Sequence, residues 1–146
     1  MVLAVMARMA LGAWFLYSGV VKWQGNGLDR FVQDVANYRM VAAPLDAVFA
    51  HGVVALECVA GLCLFFGLLR RGALLAVAGL VAMFSCAVGW AWLKQLDISC
   101  GCRGSDAPIQ YWAKFAEFAL YFVVLGALWM AENAGKLAST MKKHET

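Results

Sequence analysis

The sequence has 146 residues, of which 64% are hydrophobic and 14% are charged, and its formal net charge is +3 at pH 7. A typical soluble domain is about 45–50% apolar and about 25% charged, so this composition favours an integral membrane protein. The positive charges are spread along the chain rather than clustered in a basic patch, which argues against a nucleic-acid-binding protein.

Four apolar runs are each close to the roughly 20 residues that a helix needs to cross a bilayer. They cover residues 2–21, 48–69, 72–93 and 111–131. The first run has neither a basic leader nor a small-residue cleavage site, so we expect it to remain as a span. The sequence therefore predicts an all-α membrane protein, a single four-transmembrane-helix bundle over residues 1–146.

The first span carries two basic residues and two glycines. Arg8 lies about two turns into the span, where its long side chain can extend to the membrane surface. Gly12 and Gly19 are seven residues apart and share one helix face, which allows another helix to approach closely. Lys22 and Trp23 end the span, so we expect Lys22 at the water edge and Trp23 among the lipid headgroups.

The connection between the first two spans, residues 25–46, predicts a short amphipathic surface helix. Leu28, Phe31, Val35 and Tyr38 follow the 3, 4, 3 spacing of one helix face. Such a helix either lies on the membrane or caps the end of the bundle. A lid over a loop at the same end of the bundle is a third alternative.

The second span places Glu57 near the middle of the bilayer. An ionisable group at that depth is costly, so it usually faces the bundle interior and has a partner. Glu57 either serves the function or, when protonated, joins helices through hydrogen bonds. Arg8 is the candidate partner of opposite charge, although a difference in depth has to be closed by its long side chain or by water.

A polar loop between the third and fourth spans carries Cys100-Gly101-Cys102. A disulfide needs Cα atoms about 4.4–6.8 Å apart, and Gly101 permits the bend that this spacing requires. Because strained and exposed disulfides tend to be labile and catalytic, we expect a reversible bond between Cys100 and Cys102. The alternative is two unrelated thiols. Arg103 favours a thiolate and Asp97 opposes it, so the sequence leaves the thiol pKa open.

The other thiols and ion pairs in the spans are expected to have structural roles. Cys58, Cys63 and Cys86 lie inside apolar runs, where most cysteines act as small hydrophobic residues. Lys114 and Glu117 are three residues apart in the fourth span and are expected to pair.

The orientation of the bundle follows from the loop chemistry. Four spans place both termini on one side, and the basic residues divide six to six between the two sides, so their count does not decide the orientation. Disulfides persist in oxidising compartments. We therefore expect a bacterial inner (plasma) membrane protein with cytoplasmic termini and a periplasmic Cys-Gly-Cys loop.

The amphipathic helix and the cysteine loop follow the first and third spans, so they lie on the same side of the membrane. The connection is long enough to cross the end of a four-helix bundle. We expect the helix to pack near the cysteine loop and to bring Arg39 close to Cys100 or Cys102, where its charge favours the thiolate.

Residues spread over nearly the whole chain form one pattern. It comprises Arg8, Gly12, Ser18-Gly19 and Lys22, then Asn37-Tyr38-Arg39 and Glu57, and finally Cys100-Gly101-Cys102-x-Gly104-Ser105 with Pro108-Ile109 and Trp112. This pattern resembles the MauE branch of the DoxX-like proteins, a family of redox-associated integral membrane proteins. The resemblance implies a four-helix protein tied to thiol–disulfide traffic and to maturation of methylamine dehydrogenase, a disulfide-rich enzyme.

Three functions fit the sequence. In the first, Cys100 and Cys102 are the reactive pair of a thiol–disulfide oxidoreductase that exchanges electrons or disulfides with a periplasmic thioredoxin-like or disulfide-bearing protein. A quinone is a possible electron acceptor, because the aromatic-rich spans offer room, and no other cofactor is implied. The supporting residues are Glu57, Arg39, Tyr38, Arg103, Arg8 and Lys22.

The other two functions use the same loop differently. In the second, the two cysteines bind a soft metal ion, with further ligands from His51, Cys58 or Cys86. In the third, the protein is a non-catalytic assembly factor for a redox enzyme. An oxidoreductase loses its function when either loop cysteine is changed, whereas a scaffold tolerates both changes. Whether the protein is an enzyme thus stays open at this stage.

Overall fold

A computed structural model describes residues 2–41, 43–96 and 110–144, with side chains described as far as residue 135. These residues form five helices: α1 Val2–Trp23, α2 Gly27–Asn37, α3 Leu45–Phe66, α4 Arg70–Leu93 and α5 Tyr111–His144. Four of them, α1, α3, α4 and α5, are long and apolar enough to cross a membrane. The predicted four long apolar helices and the short helix after the first are therefore confirmed.

The ends of the spans differ from those predicted from the apolar runs. The second span begins three residues earlier, because Pro44 caps α3 at its start, and it ends at Gly67, whose φ of 72° is left-handed. The helix of the fourth span, α5, continues to His144, well beyond the apolar run that ends at residue 131. Caps and helix propensity, rather than hydropathy, decide where these helices stop.

The four long helices pack in the order α1, α3, α4, α5, and α5 returns to α1. The seam between α1 and α3 is the closest and the seam between α1 and α5 is the loosest. A Cβ added at Gly12 would lie 2.6 Å from the backbone nitrogen of Phe65, and one at Gly61 would lie 2.6 Å from that of Leu16. These glycines let the two backbones touch, as the predicted small-residue face of α1 requires.

The bundle has an apolar interior and an apolar exterior. One buried cluster runs through all the long helices and includes Phe15, Val54, Leu64, Val77, Val81, Val88 and Leu125. Large apolar side chains also cover the outer surface, among them Leu62, Leu75, Val123 and Met130. An exposed apolar surface of this extent is expected for helices whose outer faces contact lipid.

The short helix α2 caps the bundle. Its predicted apolar face is confirmed, because Phe31, Val35 and Tyr38 are all buried. The helix packs against α3 and, less extensively, against α1. Of the two placements expected for an amphipathic helix here, the structure shows capping of the bundle.

Candidate functional site

A buried ion pair joins α1 to α3 inside the bundle. Nζ of Lys22 donates hydrogen bonds to Oε1 and Oε2 of Glu57 at 2.9 and 2.8 Å. It donates a third to Oγ of Ser18 at 2.9 Å. Both charged residues are only 2% exposed. All three ammonium hydrogens thus have acceptors, which a charge removed from water requires.

Glycines in α1 bring the two charges together. A Cβ added at Gly19 would lie 2.6 Å from Sγ of Cys58 and 3.4 Å from Cβ of Glu57. Because Gly19 has no side chain, α1 lies directly against this part of α3. Lys22, one turn further along α1, then reaches Glu57 without crossing a gap.

Two aromatic rings lie close to the ammonium group of Lys22. Its Nζ lies 5.1 Å from the ring centroid of Phe31 in α2 and 5.7 Å from that of Phe84 in α4. The centroids of the two rings are 6.4 Å apart. Such contacts stabilise a cation that has left water. Four elements, α1 to α4, therefore contribute to one charged centre.

The predicted position of Lys22 at the water edge is wrong. Its partner Glu57 lies twelve residues beyond Leu45, about 18 Å along α3, so Lys22 sits at the depth of the middle of that helix. The helix α1 ends there, and α2 makes up the remaining height of the bundle. The position of Lys22 at the end of an apolar run was misleading, because a second helix, α2, covers that end of α1.

The predicted pairing of Arg8 with Glu57 is also wrong. The guanidinium of Arg8 lies over Gly67, where an added Cβ would be 2.9 Å from Nη2. Gly67 is ten residues beyond Glu57, about 15 Å along the helix direction, which is too far for the arginine side chain. The prediction that Glu57 faces the interior and has a polar partner is confirmed, with Lys22 as that partner.

A cavity of about 320 Å³ lies beside the ion pair, in the loose seam between α1 and α5. Trp14 and Tyr17 line it and are 41% and 64% exposed, so the cavity reaches the outer surface of the bundle. Its other walls include Phe15, Ser18, Lys22, Glu57, Val81, Phe84, Lys114, Glu117, Phe118 and Tyr121. A mostly aromatic wall with a few polar groups is typical of small-molecule sites.

A second charged group faces the cavity from α5. Nζ of Lys114 donates to Oε2 of Glu117 at 2.9 Å, which confirms the predicted pair. The hydroxyl of Tyr121 donates to Oε1 of the same carboxylate at 3.0 Å. Sequence reasoning missed Tyr121, although the spacing of three and then four residues from Lys114 places all three on one helix face.

The base of the cysteine loop is held by contacts between α4 and α5. The hydroxyl of Tyr111 donates to the carbonyl oxygen of Leu96 at 2.7 Å. The rings of Trp92 and Trp112 meet edge to face with centroids 6.5 Å apart. Leu96 and Tyr111, the described residues before and after the cysteine loop, are thus joined directly.

Tyr38, at the end of α2, also lies at this base. It is 8% exposed and packs with Ala91, Leu96 and Tyr111. Tyr38 thus lies beside Leu96 and Tyr111, the described residues that flank the cysteine loop, and Arg39 follows directly with an exposed side chain. The packing of the helix near Cys100 and Cys102 themselves stays a prediction.

Three of the predicted site residues, Cys100, Cys102 and Arg103, lie outside the described residues. The disulfide between the two cysteines, the effect of Arg103 on it and the approach of Arg39 to either sulfur remain predictions.

The three cysteines within the spans are free thiols. Cys58 and Cys63 are half-buried and Cys86 is exposed. Cys58 packs against Gly19, as expected of a small hydrophobic residue. Among the described side chains, those of residues 2–41, 43–96 and 110–135, no three His, Cys, Asp or Glu come together as metal ligands.

Comparison with known proteins identifies one family. The family model described as methylamine utilisation protein MauE matches residues 1–132 of this chain. The match runs from the first helix through the cysteine loop and into the last span. Neither a curated protein nor a solved structure gives a significant match.

Proposed function

The chain belongs to the MauE family, and on that premise we propose that it is a membrane thiol–disulfide redox protein that serves the maturation of a redox enzyme. The family description points to methylamine utilisation, so a disulfide-rich methylamine-oxidising enzyme is the first candidate for the enzyme served. The immediate partner is a periplasmic thioredoxin-like or disulfide-bearing protein. The wider relation to DoxX-like proteins stays a prediction.

The observation that carries this proposal is the anchored base of the cysteine loop. Tyr111 is bonded to Leu96, and Tyr38 packs against both sides of that contact. Leu96 and Tyr111, the described residues on either side of the cysteine loop, are thus held together at the end of the bundle. In the proposed function, the thiol pair between them meets a partner protein while the chain stays in the membrane.

The proposed reaction oxidises a partner dithiol. A partner thiolate attacks one sulfur of the Cys100–Cys102 disulfide, and the other cysteine leaves as a thiolate. The second partner thiolate then breaks the mixed disulfide. The partner gains a disulfide, and Cys100 and Cys102 become thiols after taking up two electrons and two protons.

Reoxidation of the loop needs an acceptor of two electrons and two protons. We propose a membrane quinone, which becomes the quinol as Cys100 and Cys102 return to the disulfide. The cavity between α1 and α5 supports this choice, because it has aromatic walls and reaches the outer surface of the bundle. Lys22 and Glu57 act as positioning residues that hold α1 and α2 below the loop.

The proposed topology places the protein in the bacterial inner membrane with cytoplasmic termini and a periplasmic loop. A periplasmic loop meets the oxidising compartment in which disulfides persist. The termini, with the Arg70 and Arg71 turn between α3 and α4, then lie on the cytoplasmic side, where basic residues are favoured.

Alkylation with a mass tag in intact membranes tests the proposal. Cys58, Cys63 and Cys86 are first changed to serine, so that only Cys100 and Cys102 report. We expect no tag before reduction and two tags after reduction. Two tags before reduction, in a protein that still supports its enzyme, would overturn the redox proposal and favour a non-catalytic assembly factor.

A further inference from the structure

Arg8 takes no part in the buried ion pair, and its surroundings indicate a separate role. Its guanidinium lies over Gly67 at the C-terminal end of α3, where the helix dipole favours a cation. Nε of Arg8 is buried and has no hydrogen-bond partner among the described residues. A buried donor without an acceptor is costly, so the polar groups at this end of the bundle are less completely satisfied than those of the buried ion pair.

A second cavity, of about 650 Å³, lies at this end of the bundle between α1, α4 and α5. Its volume falls in the range of about 300–1,000 Å³ that is usual for small-molecule sites. Two kinds of wall meet in it. The charged wall has Arg8, Arg70 and Glu132, and the apolar wall has Ala4, Leu74 and Leu128.

The charged wall has an excess of positive charge. Nη1 of Arg70 lies 3.8 Å from Oε1 of Glu132, and these side chains are 55% and 24% exposed, so this pair is weak. The neighbouring Arg71 does not line the cavity, and its Nη2 donates to Oδ1 of Asn133 at 2.7 Å. Nε of Arg70 donates to the carbonyl oxygen of Gly67 at 3.3 Å, which leaves its two Nη groups, together with Arg8, for an anion that shares the site with the carboxylate of Glu132.

The position of the cavity in the bundle selects the type of anion. It lies at the turn between α3 and α4, where two membrane-spanning helices end. There an anionic group meets Arg8 and Arg70, while an attached chain can run along Leu74 and Leu128 towards the bilayer. A free phosphate ion has no apolar part that could pack against this wall.

We propose that this cavity binds the phosphate headgroup of an anionic phospholipid, with Arg8 and Arg70 on the phosphate and an acyl chain along the apolar wall. The sequence of α5 adds Lys136, Lys142 and Lys143 beyond the cavity. Basic residues close to a membrane surface attract anionic lipids, so they favour the same ligand. The proposal is independent of the redox chemistry of the loop.

Lipid binding to the purified full-length protein in a neutral detergent tests it. Phosphatidylglycerol and phosphatidylcholine are titrated separately, and bound lipid is counted by native mass spectrometry. We expect phosphatidylglycerol to bind at least about tenfold more tightly, since its headgroup has a net negative charge, whereas the choline cation offsets the phosphate charge of phosphatidylcholine. Arg8→Gln should weaken its binding about tenfold and the more exposed Arg70→Gln about threefold.

Lys94→Gln is the matched control, because it removes one positive charge at the opposite end of the bundle. It should leave phosphatidylglycerol binding unchanged. Equal binding of the two lipids, or equal binding by the wild type and Arg70→Gln, overturns the proposal even if Arg8→Gln does not fold. Full displacement of the lipid by millimolar inorganic phosphate would also overturn it and indicate a free-phosphate site.

Discussion

Two charged regions at different depths of the same bundle contrast sharply. In the middle, Lys22 and Glu57 are each 2% exposed and every ammonium hydrogen has an acceptor. At the end that carries the N-terminus, Arg8 keeps a buried Nε without a partner among the described residues, and Arg70 reaches Glu132 only at 3.8 Å. The ammonium hydrogens of the first region all have acceptors within the protein, whereas the guanidinium groups of the second region line a cavity that a ligand can enter. Satisfaction of the polar groups, rather than their number, separates a structural centre from a binding site.

A third pair lies between these extremes. Lys114 and Glu117 are 16% and 23% exposed at a distance of 2.9 Å. Burial therefore decreases from Lys22–Glu57 through Lys114–Glu117 to Arg70–Glu132. If the contrast is correct, removal of one member of each pair should lower the free energy of unfolding by amounts that decrease in the same order.

The largest effect is expected from Lys22→Met. It leaves Glu57 buried without its partner, which should lower the free energy of unfolding by about 3–5 kcal/mol. Denaturant titration in mixed micelles measures it. The double variant Lys22→Met with Glu57→Leu should recover much of the loss, because an apolar pair of similar volume can replace a buried ion pair. If Lys22→Met lowers the free energy of unfolding no more than Lys114→Met does, the difference assigned to the burial of the two ion pairs is contradicted.

A smaller loss is expected from Gly61→Leu. An added Cβ would lie 2.6 Å from the backbone nitrogen of Leu16, so α1 has to move away from α3. Overpacking of this kind costs about 1–3 kcal/mol. Gly79→Leu is the control, because no atom lies within 4 Å of a Cβ at that position. Equal stability of the two variants would show that the close seam does not hold the ion pair in place.

A cost of about 1 kcal/mol is expected from Glu117→Gln. The pair that it breaks is partly exposed, and the amide still accepts a hydrogen bond from Lys114 or Tyr121. The same denaturant titration measures the change. A loss as large as that of Lys22→Met would mean that the cavity wall, rather than the α1–α3 seam, supports the bundle.

The smallest effect on stability is expected from Glu132→Gln, at under about 0.5 kcal/mol, since its pair with Arg70 is long and exposed. The same change should increase phosphatidylglycerol affinity about threefold, because it removes the one carboxylate among the described residues that line that cavity. Asp46→Asn, at the opposite end of the bundle, is the control for the loss of one negative charge. A decrease in lipid affinity would argue against an anion site.

Hydropathy and spacing predicted much of this structure. Apolar runs of about 20 residues predicted the four long helices, and the spacing of four and then three residues from Phe31 to Val35 and Tyr38 predicted the buried face of α2. The cost of a charge in the bilayer placed Glu57 in the interior. These features depend on local pattern alone, which a single sequence contains.

The partner of Glu57 could not be predicted in the same way. It depends on the depth of α1 relative to α3, which the backbone contact at Gly12 and Gly61 determines. It also depends on α2 covering the end of α1, which turns Lys22 from a surface residue into a buried one. Both are tertiary effects that act between segments distant in sequence.

The most direct test of the proposed exchange traps the mixed disulfide. In Cys100→Ser or Cys102→Ser, the remaining thiolate attacks the disulfide of the oxidised partner, and one partner sulfur leaves as a thiolate. The loop then has no second thiol to complete the exchange, so a covalent complex with the partner should be recovered when free thiols are alkylated. Non-reducing electrophoresis of membranes with Cys58, Cys63 and Cys86 already changed to serine measures it. We predict a reductant-sensitive complex with a periplasmic protein in one single variant and none in the double variant. Absence of that complex from both single variants, while the enzyme served still matures, would contradict the exchange.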